Sequence, residues 1–123
     1  SQTMQDHLDM ARTVTAGSYL GALAVREGAY AELSALLDRS DAVVCLSSCG
    51  PAPKGHDWTG DPIFNGMWTF LGVPSVTLPL LSSGGLPFGI QVICKRREDS
   101  RAMRLAQWLE QKAMEAGAAT WTT

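Results

Sequence analysis

Apolar residues in the first dozen positions, Met4, Leu8 and Ala11, fall at spacings of four and three, the mark of one helical face. From about 16 to 38 the same spacing returns in Tyr19, Leu20, Leu23, Tyr30, Leu33, Leu36 and Leu37. It predicts a long amphipathic helix, weakened slightly by Gly21 and Gly28. Positions 42–46 form an unbroken β-prone run. Lack of alternation predicts a strand covered on both faces in a mostly parallel sheet. The stretch 47–62 carries Gly50, Pro51, Pro53, Gly55, Gly60 and Pro62, so it reads as a long loop, and loops of that length inside compact domains tend to be functional.

A short helix is expected over 63–71, stopped by Gly72, with Pro74 imposing an extended exit. Strands follow at 75–80 and 88–94, the second with Phe88, Ile90, Val92 and Cys94 on one side. The link Ser82-Ser83-Gly84-Gly85 is short enough for an antiparallel hairpin. Asp99 or Ser100 is placed to cap a last helix running to about 116, with Leu105, Trp108, Leu109 and Ala113 as its buried stripe and Gly117 as its stop. The resulting order is α/β, a mixed sheet with helices packed on it. Three strands leave long unpaired edges, so the sheet is expected to be completed by further polypeptide or by self-association into a homo-oligomer.

At 123 residues, 46% hydrophobic and 18% charged, the chain suits one ordinary globular core, here read as a single unit over 1–123. A net charge of −2 offers no electrostatic footprint for nucleic acid. The short cluster Lys95-Arg96-Arg97, followed by Glu98 and Asp99, reads as a solvated corner between strand and helix. No apolar run approaches the ~18 residues of a membrane span, and no leader pattern opens the chain; a cytoplasmic, membrane-independent protein is expected. Cys45, Cys49 and Cys94 make an odd count that suits a reducing compartment. Cys45, Cys49 and His56 fit no structural zinc spacing, so no metal site is expected. His56 beside Asp57 reads as a surface pair and not as part of a triad.

Several motifs then occur in order. Gly60-Asp61-Pro62-Ile63-Phe64-Asn65 leads through Trp68-Thr69-Phe70-Leu71-Gly72-Val73-Pro74-Ser75 to Leu78-Pro79 and Gly85-Leu86-Pro87-Phe88-Gly89-Ile90-Gln91-Val92-Ile93. Asp99 follows, then a helix with Ala106 and Glu110; upstream lie Ser18-Tyr19 and Asp41. This series resembles the C-terminal portion of the amidase-signature family, over about 16–117. One departure is Cys45-Leu46-Ser47-Ser48-Cys49, where the family usually has Thr-Pro-Thr.

The resemblance implies hydrolysis of an amide C–N bond, without metal or organic cofactor, by a nucleophilic Ser, a second Ser held by a cis peptide and a Lys base, all on polypeptide N-terminal to this region. It makes the chain the C-terminal third of such a domain, with no catalytic residue of its own and no activity alone. Ser82-Ser83-Gly84-Gly85 looks like part of the family's Gly-Ser signature, but it sits in a hairpin link. The stretch matching the family's substrate approach holds Asp61, Phe64, Asn65 and Trp68. Phe64 and Trp68 suit an apolar or aromatic acyl group of a small amide substrate, and Asp61 a polar or amino group. Helical spacing of Phe64, Trp68 and Leu71 equally suits plain core. The other reading of the chain is a non-enzymatic, amidase-derived module that oligomerises or binds a partner.

Overall fold

Thr15 divides the N-terminal helices, α1 (Gln2–Thr13) and α2 (Ala16–Leu37). Its backbone is extended, and its Oγ1 accepts the Ser18 backbone N–H at 3.1 Å, which satisfies a donor at the start of α2. The computed structural model describes residues 2–117. Beyond these two helices come β1 (Val43–Leu46), α3 (Ile63–Leu71), β2 (Ser75–Ser83), β3 (Leu86–Ile93) and α4 (Asp99–Glu115). The α/β class and the element order are those expected from the pattern.

The sheet runs β1-β3-β2, and β3 pairs antiparallel with both neighbours. The parallel-type strand expected at 42–46 is therefore antiparallel here. An unbroken apolar run reports coverage, not direction, and the coverage itself is uneven: Val44 is exposed while Val43 and Cys45 pack on the core. The β2–β3 hairpin closes through Gly84 and Gly85, both at positive φ (58° and 78°), as a two-residue primed turn requires. Both strands reach further toward the turn than the apolar runs suggested, with Ser83 facing Leu86. Near Pro79 the register slips between Leu78 and Leu81, a bulge on an edge strand that tolerates a residue without an N–H.

Helices cover both faces of the sheet. On one face Trp68 and Leu71 of α3, with Tyr30 and Leu33 of α2, pack on Ile93, Val43 and Cys45. On the other, Ala106, Leu105 and Leu109 of α4 pack with Leu78, Val92 and Ile90. Ile93 is fully buried, which contributes about 1.5–3 kcal/mol.

The buried stripe of α4 differs from the expected one. Ala102 and Ala106 are buried, Leu105 and Leu109 flank them, and Trp108 is exposed. Small residues let the helix axis approach the sheet closely, so the contact centres on alanines and turns Trp108 outward. Nor does Asp99 or Ser100 cap α4; Glu98 stands at the cap position, with no side-chain bond.

Gly72 ends α3 in the left-handed conformation (φ 68°), its N–H donating to the Trp68 and Thr69 carbonyls. The Lys95-Arg96-Arg97 corner is not simply solvated. Lys95 pairs with Asp38, and Arg96 reaches back to Glu27, Tyr30 and the Leu71 carbonyl. Arg97 turns the chain at φ 67°.

Unlike the amphipathic helix expected, α2 has its apolar residues spread round the helix and not gathered on one face, and many of them are uncovered. Tyr19, Leu20 and Val25 are exposed, whereas Leu37 near its end is buried. A helix that is hydrophobic all round is normally a buried one. No helix of the described residues is long and apolar enough to cross a membrane.

Candidate functional site

The 47–62 loop bows away from the sheet and returns at α3, enclosing an open cleft of about 540 Å³. Its walls include Ser48, Cys49, Pro51, Trp58, Asp61 and Asn65, and its floor is the β3 start, Pro87, Phe88 and Gly89. Trp58 is 63% exposed, a large aromatic surface facing solvent on a concave wall.

Each anchor of the cleft has a local cause. Asp61 Oδ1 accepts the Ile63 N–H at 2.9 Å and so fixes the first turn of α3. Asn65, further along the same helix, donates from Nδ2 to the Ser47 carbonyl at 3.1 Å. The Ser47 N–H in turn donates to the Gly89 carbonyl at 2.9 Å, extending the β1–β3 ladder by one bond. Ser48 Oγ donates to the Gly50 carbonyl at 2.6 Å, turning the loop on itself.

Gly89 is required where it stands. A Cβ there would lie 2.6 Å from Thr77 Cγ2, 2.8 Å from Ser47 Oγ and 2.9 Å from the Leu78 carbonyl oxygen. The loop and β2 close over the bare Cα of Gly89.

Gln91, next on the same face of β3, is buried at 1% exposure. Its Nε2 donates to the carbonyls of Leu46 (3.0 Å) and Phe64 (2.9 Å), and its Oε1 accepts from Ser75 Oγ at 2.7 Å. Both amide groups are satisfied, so the burial of a polar side chain here leaves no unpaired atom.

The four residues expected to approach substrate separate into two pairs. Asp61 and Asn65 line the cleft. Phe64 is half-buried and contributes its carbonyl to Gln91, while Trp68 is buried in the core with Leu71 and Ile93. Trp68 borders a second, smaller hollow of about 300 Å³ shared with Thr69, Ser75, Thr77 and Gln91. Its Nε1 is buried and without a hydrogen-bond partner among the described residues. Trp58, Phe88 and Gly89 carry no site signal of their own in the sequence, which offered only the length and Gly/Pro content of the loop. Among the described residues no group of three His, Cys, Asp or Glu is placed to hold a metal ion, and no peptide bond is cis.

No family model matches the sequence, and no curated protein does. Solved structures do. A crystal structure of an amidase superposes with a TM-score of 0.78 at 29% identity, covering 91% of this chain and 29% of that one. The chain is thus similar to part of an amidase-signature structure. A glutamyl-tRNA(Gln) amidotransferase structure from Thermotoga maritima is similar too, with a TM-score of 0.70 and 26% identity over 89% of this chain. The chain spans 29% and 26% of the lengths of these two proteins, so it corresponds to less than a third of an amidase-signature fold of that size. The α/β class with helices packed on a sheet, expected from the sequence, matches that part of the fold.

Proposed function

We propose that this chain forms one wall of the substrate cleft in an amide-hydrolysing enzyme of the amidase-signature type. The observation that carries the reading is the fold match over 91% of the chain to less than a third of an amidase, together with a cleft bounded by 47–65 and 87–89. In this reading the chain is the C-terminal third of its domain, and the Ser, cis-Ser and Lys lie on N-terminal polypeptide. The nucleophilic Ser attacks the amide carbonyl, the bridging Ser passes its proton to the neutral Lys, and the proton then goes to the departing amine. Water releases the acyl group from the enzyme.

Two lysines of this chain are engaged elsewhere and do not suit the part of that base. Lys95 and Lys112 are paired with the carboxylates of Asp38 and Glu115, and Ser82-Ser83-Gly84-Gly85 is the hairpin end. The exposed apolar residues of α2 and the uncovered Val44 at the sheet edge suit burial against the N-terminal part. A small uncharged or amino-bearing amide fits the cleft chemistry, with Trp58 and Phe88 toward its apolar portion and Asp61 and Asn65 toward its polar portion.

Photolabelling of the complete enzyme with an amide analogue tests this. Label recovered in 47–65 or 87–89, and suppressed by excess unlabelled amide, is the expected result. Label confined to segments outside this chain removes the cleft from the substrate path.

A further inference from the structure

We propose that Gln91 is a positioning residue that sets the width of the cleft by holding both ends of the 47–62 loop to the same side-chain amide; the assignment of the cleft to amide substrates rests on the function proposed above. Leu46, one of its acceptors, is the last residue before the loop, and Phe64, the other, lies in the first turn of α3 just beyond it. Asn65 adds a second tie across the same gap, from Nδ2 to the Ser47 carbonyl.

The register of β1 against β3 is already fixed by the backbone ladder, from Val43 facing Ile93 to Leu46 facing Ile90. The amide is not needed for that. An apolar side chain of similar volume would fill the position on β3 but take from the Leu46 and Phe64 carbonyls and the Ser75 hydroxyl the partner they have here. What only a primary amide supplies is two N–H donors from one atom, directed to two carbonyls from different elements, while its oxygen is held by Ser75 Oγ on β2. Rotation of the amide is thereby blocked from the third strand. With its two ends held in this way, the loop between the acceptors carries Trp58 and Asp61 at positions its end points govern.

Two variants of the complete protein test the assignment, Gln91→Met and Ser75→Ala, the second releasing only the amide oxygen of Gln91. Backbone hydrogen exchange is read across the chain, with KM and kcat for a small amide substrate beside it. In both variants, exchange is expected to rise by about tenfold or more in 47–62 and the first turn of α3, with α4 and the hairpin end unchanged. KM is expected to rise by about tenfold with kcat changed far less, since loose walls weaken binding without touching the reacting groups. Exchange that rises equally in α4 and all three strands, or that leaves 47–62 unchanged, overturns the proposal. Should Gln91→Met fail to fold, the exposed Ser75→Ala decides alone by the same pattern. A wild-type protein with no amide turnover counts against the proposed function only, because the exchange pattern still decides whether the amide positions the loop.

Discussion

Arg96 and Glu27 meet in a two-point ion pair, Nη1 donating to Oε2 at 2.6 Å and Nη2 to Oε1 at 3.1 Å. The same guanidinium lies 3.9 Å from the centre of the Tyr30 ring and donates from Nε to the Leu71 carbonyl at 2.7 Å. One side chain thus ties α2 and the end of α3 to the turn after β3. The Arg96 backbone N–H also donates to Tyr30 Oη, at 3.2 Å.

Arg96→Lys keeps the charge and loses the fork. A single ammonium cannot serve both carboxylate oxygens, stack flat on Tyr30 and reach the Leu71 carbonyl together. Thermal unfolding is expected to show a lower Tm for Arg96→Lys and an unchanged Tm for Arg97→Lys, whose side chain is exposed.

The pair also gives stability a dependence on acid. The hydrogen bond from Arg96 holds the Glu27 carboxyl below its ordinary value of 4.5, reinforced by Arg26. A carboxyl depressed in the folded state contributes stability above its unfolded value and loses it as pH falls through the folded one. Denaturant midpoints measured from pH 6 downward should therefore fall more steeply below about pH 4.5 in the wild type than in Glu27→Gln. Added salt should shrink the difference, because Glu27 is largely exposed.

Gly89→Ala places a methyl group against Thr77, Ser47 and the Leu78 carbonyl at distances that two flexible side chains alone cannot relieve, since one obstacle is backbone. A loss of about 1–3 kcal/mol is expected in chemical denaturation, as for other overpacked positions. Gly66→Ala, with open space around its Cα within α3, serves as the comparison and should not destabilise.

Asp61 holds α3 through Oδ1 and also faces the cleft, and two substitutions separate these roles. Asp61→Asn retains an acceptor for the Ile63 N–H and should keep the wild-type Tm, while Asp61→Ala is expected to cost about 1 kcal/mol. If the carboxylate pairs with an amino group of the substrate, both raise KM for an amino-bearing amide and leave that for a neutral one unchanged. Equal KM for both substrates in Asp61→Asn would leave Asp61 with the helix alone.

Much of this fold was legible because local chemistry and tertiary context agree. Ile63–Leu71 is bounded by Pro62 and by Gly72 at positive φ, and the hairpin by Gly84 and Gly85, so those elements stand where the sequence puts them. Where a residue's partners are distant in sequence, the pattern is silent. The carbonyls that satisfy Gln91 come from Leu46 and Phe64, and the atoms that crowd Gly89 come from Ser47, Thr77 and Leu78. Strand direction at β1 and the alanine-centred contact of α4 were hidden for a related reason: hydrophobicity marks what is buried more clearly than what it is buried against. In the site, loop length pointed to 47–62, but Trp58 carried no pattern of its own, and of the helically spaced pair Phe64 and Trp68 it is Trp68 that packs in the core.

Amide hydrolysis measured on this chain by itself, and again on the complete polypeptide that carries it, tests the account most directly. Release of amine or ammonia by the complete polypeptide, with none from the purified chain, is the predicted result. Turnover by the chain after every other polypeptide has been removed would contradict it, since the reacting groups would then have to lie among these residues.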